Sequence, residues 1–105
     1  MGWPVSRHSE PERKLDLLDR MLGRLRGAVR RGDSPALVAG AAERVRRAAL
    51  AVIKAKRALI AEYPDRDSDG RQAQNLAREE ERWLALPAGA IAAEYGTDAE
   101  PAGVS

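Results

Sequence analysis

The chain of 105 residues has no cysteine, no phenylalanine and only one histidine. The lack of cysteine excludes disulfide bonds and thiolate chemistry, and it fits a reducing compartment. The single histidine, His8, excludes a histidine-based metal cluster or catalytic triad within one chain. There is also no glycine-rich phosphate loop following a strand. We therefore predict that the protein is not an enzyme.

Long apolar runs are also missing from the sequence. No stretch approaches the ~18 apolar residues of a transmembrane helix, and the N-terminus has no hydrophobic signal core. We therefore predict a soluble, cytoplasmic protein that makes no use of a membrane. A chain of this length forms one small domain. We place a flexible arm at 1–8, a single helical domain at 9–96 and a disordered tail at 97–105.

Charge is unevenly distributed, although the formal net charge is only +2. Residues 1–63 carry a net charge of +7, and residues 64–105 carry −5. Such asymmetry indicates a basic face for nucleic acid or acidic partners, or two faces that pair between subunits. Alanine and arginine are abundant throughout, which favours helix.

The first predicted helix covers residues 10–31. A capping box formed by Ser9 and Glu12 begins it, and Gly32 ends it. Its apolar residues alternate three and four positions apart, in the heptad pattern of a coiled coil. They are Leu15, Leu18, Leu22, Leu25 and Val29.

The second predicted helix covers residues 34–63, with Ser34 as its N-cap and Pro35 in its first turn. Branched residues recur every seven positions, and alanine falls three positions after each of the first three. They are Val38, Val45, Val52 and Leu59, with Ala41, Ala48 and Ala55. Because the connection to the first helix is very short, the two helices form an antiparallel hairpin.

A third, shorter helix is predicted over residues 68–86, between the break at Pro64 and the one at Pro87. Residues 88–95 can form a further short helix. The predicted fold is all-α: an antiparallel helical hairpin (10–31 and 34–63) with a third helix, in a bundle that forms oligomers.

The prediction of oligomers rests on a second apolar row of the long helix. This row makes the apolar arc too wide for one neighbouring helix, so a third helix or another subunit must cover it. We assign it to a subunit or partner interface, consisting of Ala42, Ala49, Ile53, Lys56 and Ile60.

Lys56 is the one charged residue in this row. In one interpretation its stem packs and its ammonium group reaches solvent at the edge. In the other, Lys56 forms a buried or interfacial ion pair with Asp16 or Asp19, or contacts a phosphate.

The segment Asp65-x-Asp67-x-Asp69-Gly70 resembles the first half of an EF-hand calcium loop. Position 12, which supplies a bidentate glutamate in such loops, is Leu76. Calcium binding by Asp65, Asp67 and Asp69 is therefore one hypothesis. The other is that Asp67, Ser68 and Asp69 cap the third helix.

A basic stripe runs along the outer face of the long helix, with further arginines on the first helix. Cations within reach of phosphates give a salt-dependent attraction that is independent of sequence. The predicted nucleic-acid-binding residues are Arg44, Arg47, Lys54 and Arg57. No aromatic residues interleave with them to stack on bases.

Residues 15–63 combine a leucine-rich helix, a short RGDSP turn and a long Ala/Arg helix. In this they resemble the helical hairpin of small terminase subunits from actinobacterial phages. The resemblance implies a ring-forming adaptor that binds viral DNA and presents it to a packaging motor. The separate helix-turn-helix that the family often carries is not recognisable in this sequence.

The sequence thus predicts a non-catalytic oligomeric adaptor that binds DNA through a basic helix face. One alternative is a protein-interaction module, such as an antitoxin, chaperone or accessory subunit, whose apolar seam is covered by another protein. Another is a calcium-responsive module.

Overall fold

The computed structural model of the chain describes residues 10–97, and these residues form four α-helices and one 3₁₀ turn. The helices are α1 (Glu10–Arg31), α2 (Pro35–Glu62), α3 (Arg71–Ala85) and α4 (Ala88–Tyr95), and the 3₁₀ turn covers Pro64–Asp67. The all-α prediction is confirmed. Ser9 of the predicted capping box, the arm at 1–8 and residues 98–105 of the predicted tail lie outside the described residues.

Helices α1 and α2 form the antiparallel hairpin that the sequence predicted, and they make the largest helix–helix contact of the described chain. Gly32 ends α1 with a φ of +71°, a left-handed conformation that costs glycine little. The hydroxyl of Ser34 accepts a hydrogen bond of 3.4 Å from the Leu37 amide at the start of α2. These local features reverse the chain within three residues.

The core lies where α1, α2 and α4 meet. Leu25, Val45 and Ile91 are its largest fully buried side chains. Around them, Ala41 and Ala42 of α2 let the neighbouring helices approach closely, because their side chains are a single methyl group. Leucine side chains of α1 thus pack against valine and alanine side chains of α2, and α4 adds a third side to the core.

Helices α3 and α4 pack against the second apolar row of α2. Ala42, Ala49 and Ile53 are at most 3% exposed within the single chain. The prediction that these three residues form an exposed interface is corrected by their burial. The chain covers the row itself, and the sequence argument for an oligomer based on these three residues no longer holds.

Helix α3 begins three residues later than predicted, at Arg71 instead of Ser68. Gly70 precedes it with a φ of +70°, which interrupts the helical backbone. Both carboxylate oxygens of Asp67 accept bonds of 2.9 Å from the amides of Gln72 and Ala73 in the first turn. The carboxylate therefore caps α3 from outside the helix.

An aromatic contact fixes α4 against α3. The rings of Trp83 and Tyr95 stack with centroids 5.0 Å apart. The guanidinium group of Arg82 donates a hydrogen bond of 2.7 Å to the Tyr95 hydroxyl and pairs with Glu94. This hydrogen bond to Tyr95 raises the pKa of Arg82 above its ordinary value. Arg46 of α2 donates to the carbonyl oxygen of Leu86, two residues before α4 begins.

Gly96, which follows α4, is expected to be intolerant of a side chain. A Cβ atom at this position would lie 2.9 Å from Val29 Cγ2 and even closer to the carbonyl oxygen of Ala92. We expect Gly96→Ala to lower the free energy of unfolding by about 1–3 kcal/mol, because backbone atoms must move to admit the methyl group. Urea denaturation followed by circular dichroism measures this.

Gly89→Ala is the matched control for Gly96→Ala. A Cβ atom at Gly89, within α4, meets no atom within 4 Å. We expect this variant to match the wild type or to gain up to about 1 kcal/mol from the higher helix propensity of alanine. Equal losses in the two variants would contradict the close contact of Gly96 with α1.

Candidate nucleic-acid interface

The side of the hairpin in contact with neither α3 nor α4 carries three adjoining clefts, which we call together the basic groove. The first cleft, nearest the turn of the hairpin, has a volume of about 630 Å³. It shares Arg44 with the second cleft, in the middle of the hairpin, and the second shares Ala51 with the third, at the open end. The groove residues from α1 and the turn are Glu10, Lys14, Leu17, Arg20, Met21, Gly23, Arg24, Gly27, Ala28, Arg31 and Asp33; those from α2 are Leu37, Ala41, Arg44, Arg47, Ala48, Ala51, Lys54, Ala55, Ala58 and Leu59.

Both acidic residues of the basic groove are held by neighbouring cations. Arg31 bonds Asp33 at 2.9 Å, and this hydrogen bond raises the pKa of Arg31. Arg13 bonds Glu10 at 2.7 Å, which lowers the pKa of Glu10, and Lys14 lies 3.9 Å from its other oxygen. The charge of each carboxylate is therefore balanced by a neighbouring cation.

Five cations of the groove form no ion pair with any residue of the described range 10–97: Arg20, Arg24, Arg44, Arg47 and Lys54. Glycine and alanine residues line the same clefts as these cations. Guanidinium and ammonium groups without a carboxylate partner can donate hydrogen bonds to phosphate oxygens.

Three of the four predicted nucleic-acid-binding residues meet in the basic groove, and the fourth does not. Arg44, Arg47 and Lys54 line it. Arg57 instead pairs with Glu80 of α3 at 2.9 Å. Its charge is therefore balanced within the chain, and its assignment as a nucleic-acid-binding residue stays a prediction.

The sequence did not identify Leu37 as part of the site. Its side chain lines the first cleft together with Arg44 and Arg24, and it is 63% exposed. The available signal was spacing, since Leu37 precedes Arg44 by seven residues and so lies on the same face of α2. Gly23 and Gly27, four residues apart, similarly mark the face of α1 that lines this cleft.

Lys56 and Ile60 of the predicted interface lie in a separate cleft of about 450 Å³, between the ends of α1, α2 and α3. Lys56 is exposed and forms no ion pair within the described residues. The structure therefore agrees with the interpretation in which the ammonium group of Lys56 reaches solvent. The pair with Asp16 or Asp19 is not formed.

Two carboxylates of the Asp65–Gly70 loop accept hydrogen bonds at the start of α3. Asp67 caps α3 as described, and Asp69 accepts a bond of 3.0 Å from the amide of Arg71. Across residues 10–97, no group of three or more potential ligands is arranged to hold a metal ion. Calcium binding by Asp65, Asp67 and Asp69 stays a hypothesis from the sequence pattern alone.

We expect Asp67→Ala to lower the free energy of unfolding by about 1–2 kcal/mol, because two amides of α3 lose their acceptor. Asp65→Ala, in the same loop but without a capping bond, is the control and should change it by less than about 0.5 kcal/mol. Thermal unfolding with and without calcium measures both. A calcium-dependent gain in stability that Asp67→Ala removes would instead support an ion site.

None of the helices between residues 10 and 97 combines the length and the apolar composition needed to cross a membrane. His8 lies outside the described residues. Comparison of the chain with protein-family models, curated proteins and solved structures found no match.

Proposed function

We propose that the protein is a non-catalytic helical module that binds DNA through the basic groove. The observation that carries this proposal is the meeting of five unpaired cations from two helices on one side of the hairpin. The acidic run Glu79–Glu81 lies instead on α3, which packs on a different side of α2. Such an arrangement favours the binding of a polyanion, because each phosphate contact releases counterions.

The binding is expected to depend on the phosphate backbone and little on base sequence. Base stacking requires aromatic side chains on the binding surface. Within the described residues, Trp83 and Tyr95 stack on each other between α3 and α4, and the groove contains no aromatic residue. The groove therefore offers phosphate contacts in place of base contacts.

An oligomeric adaptor in phage DNA packaging, which the resemblance to small terminase subunits implies, is a further part of the proposal. The hairpin and its basic side support the adaptor. The burial of Ala42, Ala49 and Ile53 within the chain removes the sequence argument for the oligomer and, equally, the one for the rival protein-interaction module. Light scattering of the purified protein tests oligomer formation.

A salt titration of DNA binding tests the proposal directly. If each of the five cations contacts one phosphate of duplex DNA, the slope of log K against log salt concentration is about −4.5, at roughly −0.9 per contact. Fluorescence anisotropy of a labelled duplex between low and moderate salt measures this slope. Absence of binding at the lowest salt concentration would refute the proposal.

A further inference from the structure

The proposed DNA binding uses the cations of the basic groove and leaves the apolar residues of the groove without a role. Leu37 lines the first cleft and Leu17 the second, and these side chains are 63% and 39% exposed. A phosphate backbone contacts the cations and gains little from leucine. A ligand with apolar side chains of its own would remove the two leucines from water, which is favourable.

Both helices contribute a continuous heptad row to the basic groove. Starting at Leu37, alternate steps of four and three residues along α2 reach Ala58, and every residue on the way lines the groove. The same steps from Glu10 to Arg31 along α1 also meet only groove residues. This spacing is the seam of a coiled coil, which faces another helix. Two such rows side by side form a seat for one further helix.

The groove has the length and the room for that helix. The row on α2 spans about 32 Å, at about 1.5 Å per residue. Apart from Leu37 and Arg44 the row consists of alanine, so a docked helix can approach the α2 backbone closely. The clefts at the two ends of the groove have volumes of about 630 and 560 Å³. Helices α3 and α4 already pack against α2 elsewhere, so a helix in the groove would complete a bundle around the hairpin.

The charge of the groove selects an acidic helix from a different protein. Charged residues that flank a helical seam form ion pairs with the partner and determine which partner binds. The cations without an ion pair within residues 10–97 are Arg20, Arg24, Arg44, Arg47 and Lys54. The described helices of a second copy do not fit, because α1 and α2 are basic and α3 has as many arginines as glutamates. The short α4 buries Ile91 in its own core.

We infer that an acidic amphipathic helix of another protein docks along the basic groove. Its apolar side packs against Leu17, Leu37 and the alanines of α2, and its carboxylates pair with the five cations. This surface differs from the second apolar row of α2, where Ala42, Ala49 and Ile53 are buried within the chain. The docking does not rest on the proposed DNA binding. Because helix and DNA use the same cations, they exclude each other from the groove.

A designed peptide of about 22 residues is the probe, with leucine at the two seam positions of each heptad and glutamate at the flanking positions. A peptide with the same residues in scrambled order has the same charge but no apolar side. We expect the patterned peptide to become helical on binding, measured by circular dichroism, and to bind at least tenfold more tightly than the scrambled one, measured by fluorescence anisotropy. Equal affinities would overturn the inference, since charge alone would then explain the binding.

Two double leucine variants locate the bound peptide. Leu17→Ala with Leu37→Ala removes the exposed leucines of the groove. Leu15→Ala with Leu84→Ala removes two leucines that do not line it, with nearly the same exposures of 39% and 62%. We expect the groove variant to bind the patterned peptide about thirtyfold more weakly and duplex DNA within about twofold of the wild type. The control variant should bind both within about twofold of the wild type. Equal losses of peptide affinity in the two variants would contradict docking in the groove.

A competition experiment separates the inference from the proposed function. Unlabelled patterned peptide, added to the complex of the protein with a labelled duplex, should release the duplex. Simultaneous binding of peptide and duplex would overturn the placement of the helix in the groove. Binding of the peptide without any binding of DNA would refute the proposed function and leave the inference standing. Binding of DNA without binding of the peptide would overturn the inference alone.

Discussion

Replacing Arg44, Arg47 and Lys54 together by alanine is expected to lower the affinity for duplex DNA roughly 500-fold at 0.1 M salt. Three phosphate contacts are lost, and each contributes about 0.9 to the slope of log K against log salt concentration. Because counterion release contributes nothing to the affinity at 1 M salt, the loss at 0.1 M salt is about 2.7 log units, or roughly 500-fold. The slope itself should fall from about −4.5 to about −1.8. Anisotropy titrations at several salt concentrations give both quantities.

The matched control removes three other cations, Arg57, Arg71 and Arg78, with the same change in net charge. Arg57 is paired with Glu80, and Arg71 and Arg78 lie on α3. We expect the control variant to bind within about threefold of the wild type, because long-range attraction between exposed charges is screened at 0.1 M salt. Equal losses in the two triple variants would show that net charge and not the basic groove determines binding.

The largest effect on stability is expected from Leu25→Ala. Leu25 is fully buried and packs in the cluster that also contains Val45 and Ile91, so three helices contribute to its surroundings. Truncation to alanine removes apolar contacts and leaves a cavity, which together cost about 3 kcal/mol in cores of this kind. For a small domain, that is a large fraction of the total free energy of unfolding.

Urea denaturation measures the effect of Leu25→Ala, and Leu84→Ala, on α3 at 62% exposure, serves as the exposed comparison. The exposed variant should lose less than about 0.5 kcal/mol. A loss below about 1 kcal/mol in Leu25→Ala would mean that α1, α2 and α4 do not share a core. Ile91→Ala then shows whether α4 packs on the hairpin, because truncating Ile91 lowers the free energy of unfolding only if it does.

The hairpin was predictable because its determinants are local. Gly32, Ser34 and Pro35 fix the turn within a few residues, and the heptad pattern identifies the facing sides of both helices. The bounds of α1 agree with the predicted 10–31, and those of α2 differ from the predicted 34–63 by one residue at each end. The start of α3 was less accurate, because the pattern does not reveal that Gly70 adopts a positive φ.

The site was only partly predictable, because whether a cation is paired depends on residues distant in the sequence. Lys54 and Arg57 are three residues apart and similar in sequence context, yet one faces the basic groove and the other pairs with α3. The difference arises from the placement of Glu80, a tertiary property. For the same reason, the helix pattern alone left the cover of the second apolar row undecided between a third helix and another subunit.

The five unpaired cations lie on one side of the hairpin, whereas α3 carries three arginines and three glutamates and so has no net charge. The positive charge of the basic groove is therefore off-centre in a molecule that measures 46 × 38 × 30 Å. At about 0.01 M salt the Debye length is roughly 30 Å, and it falls to about 10 Å at 0.1 M. An approaching polyanion therefore turns the protein before contact only in dilute salt, and the association rate should fall with salt faster than the dissociation rate rises.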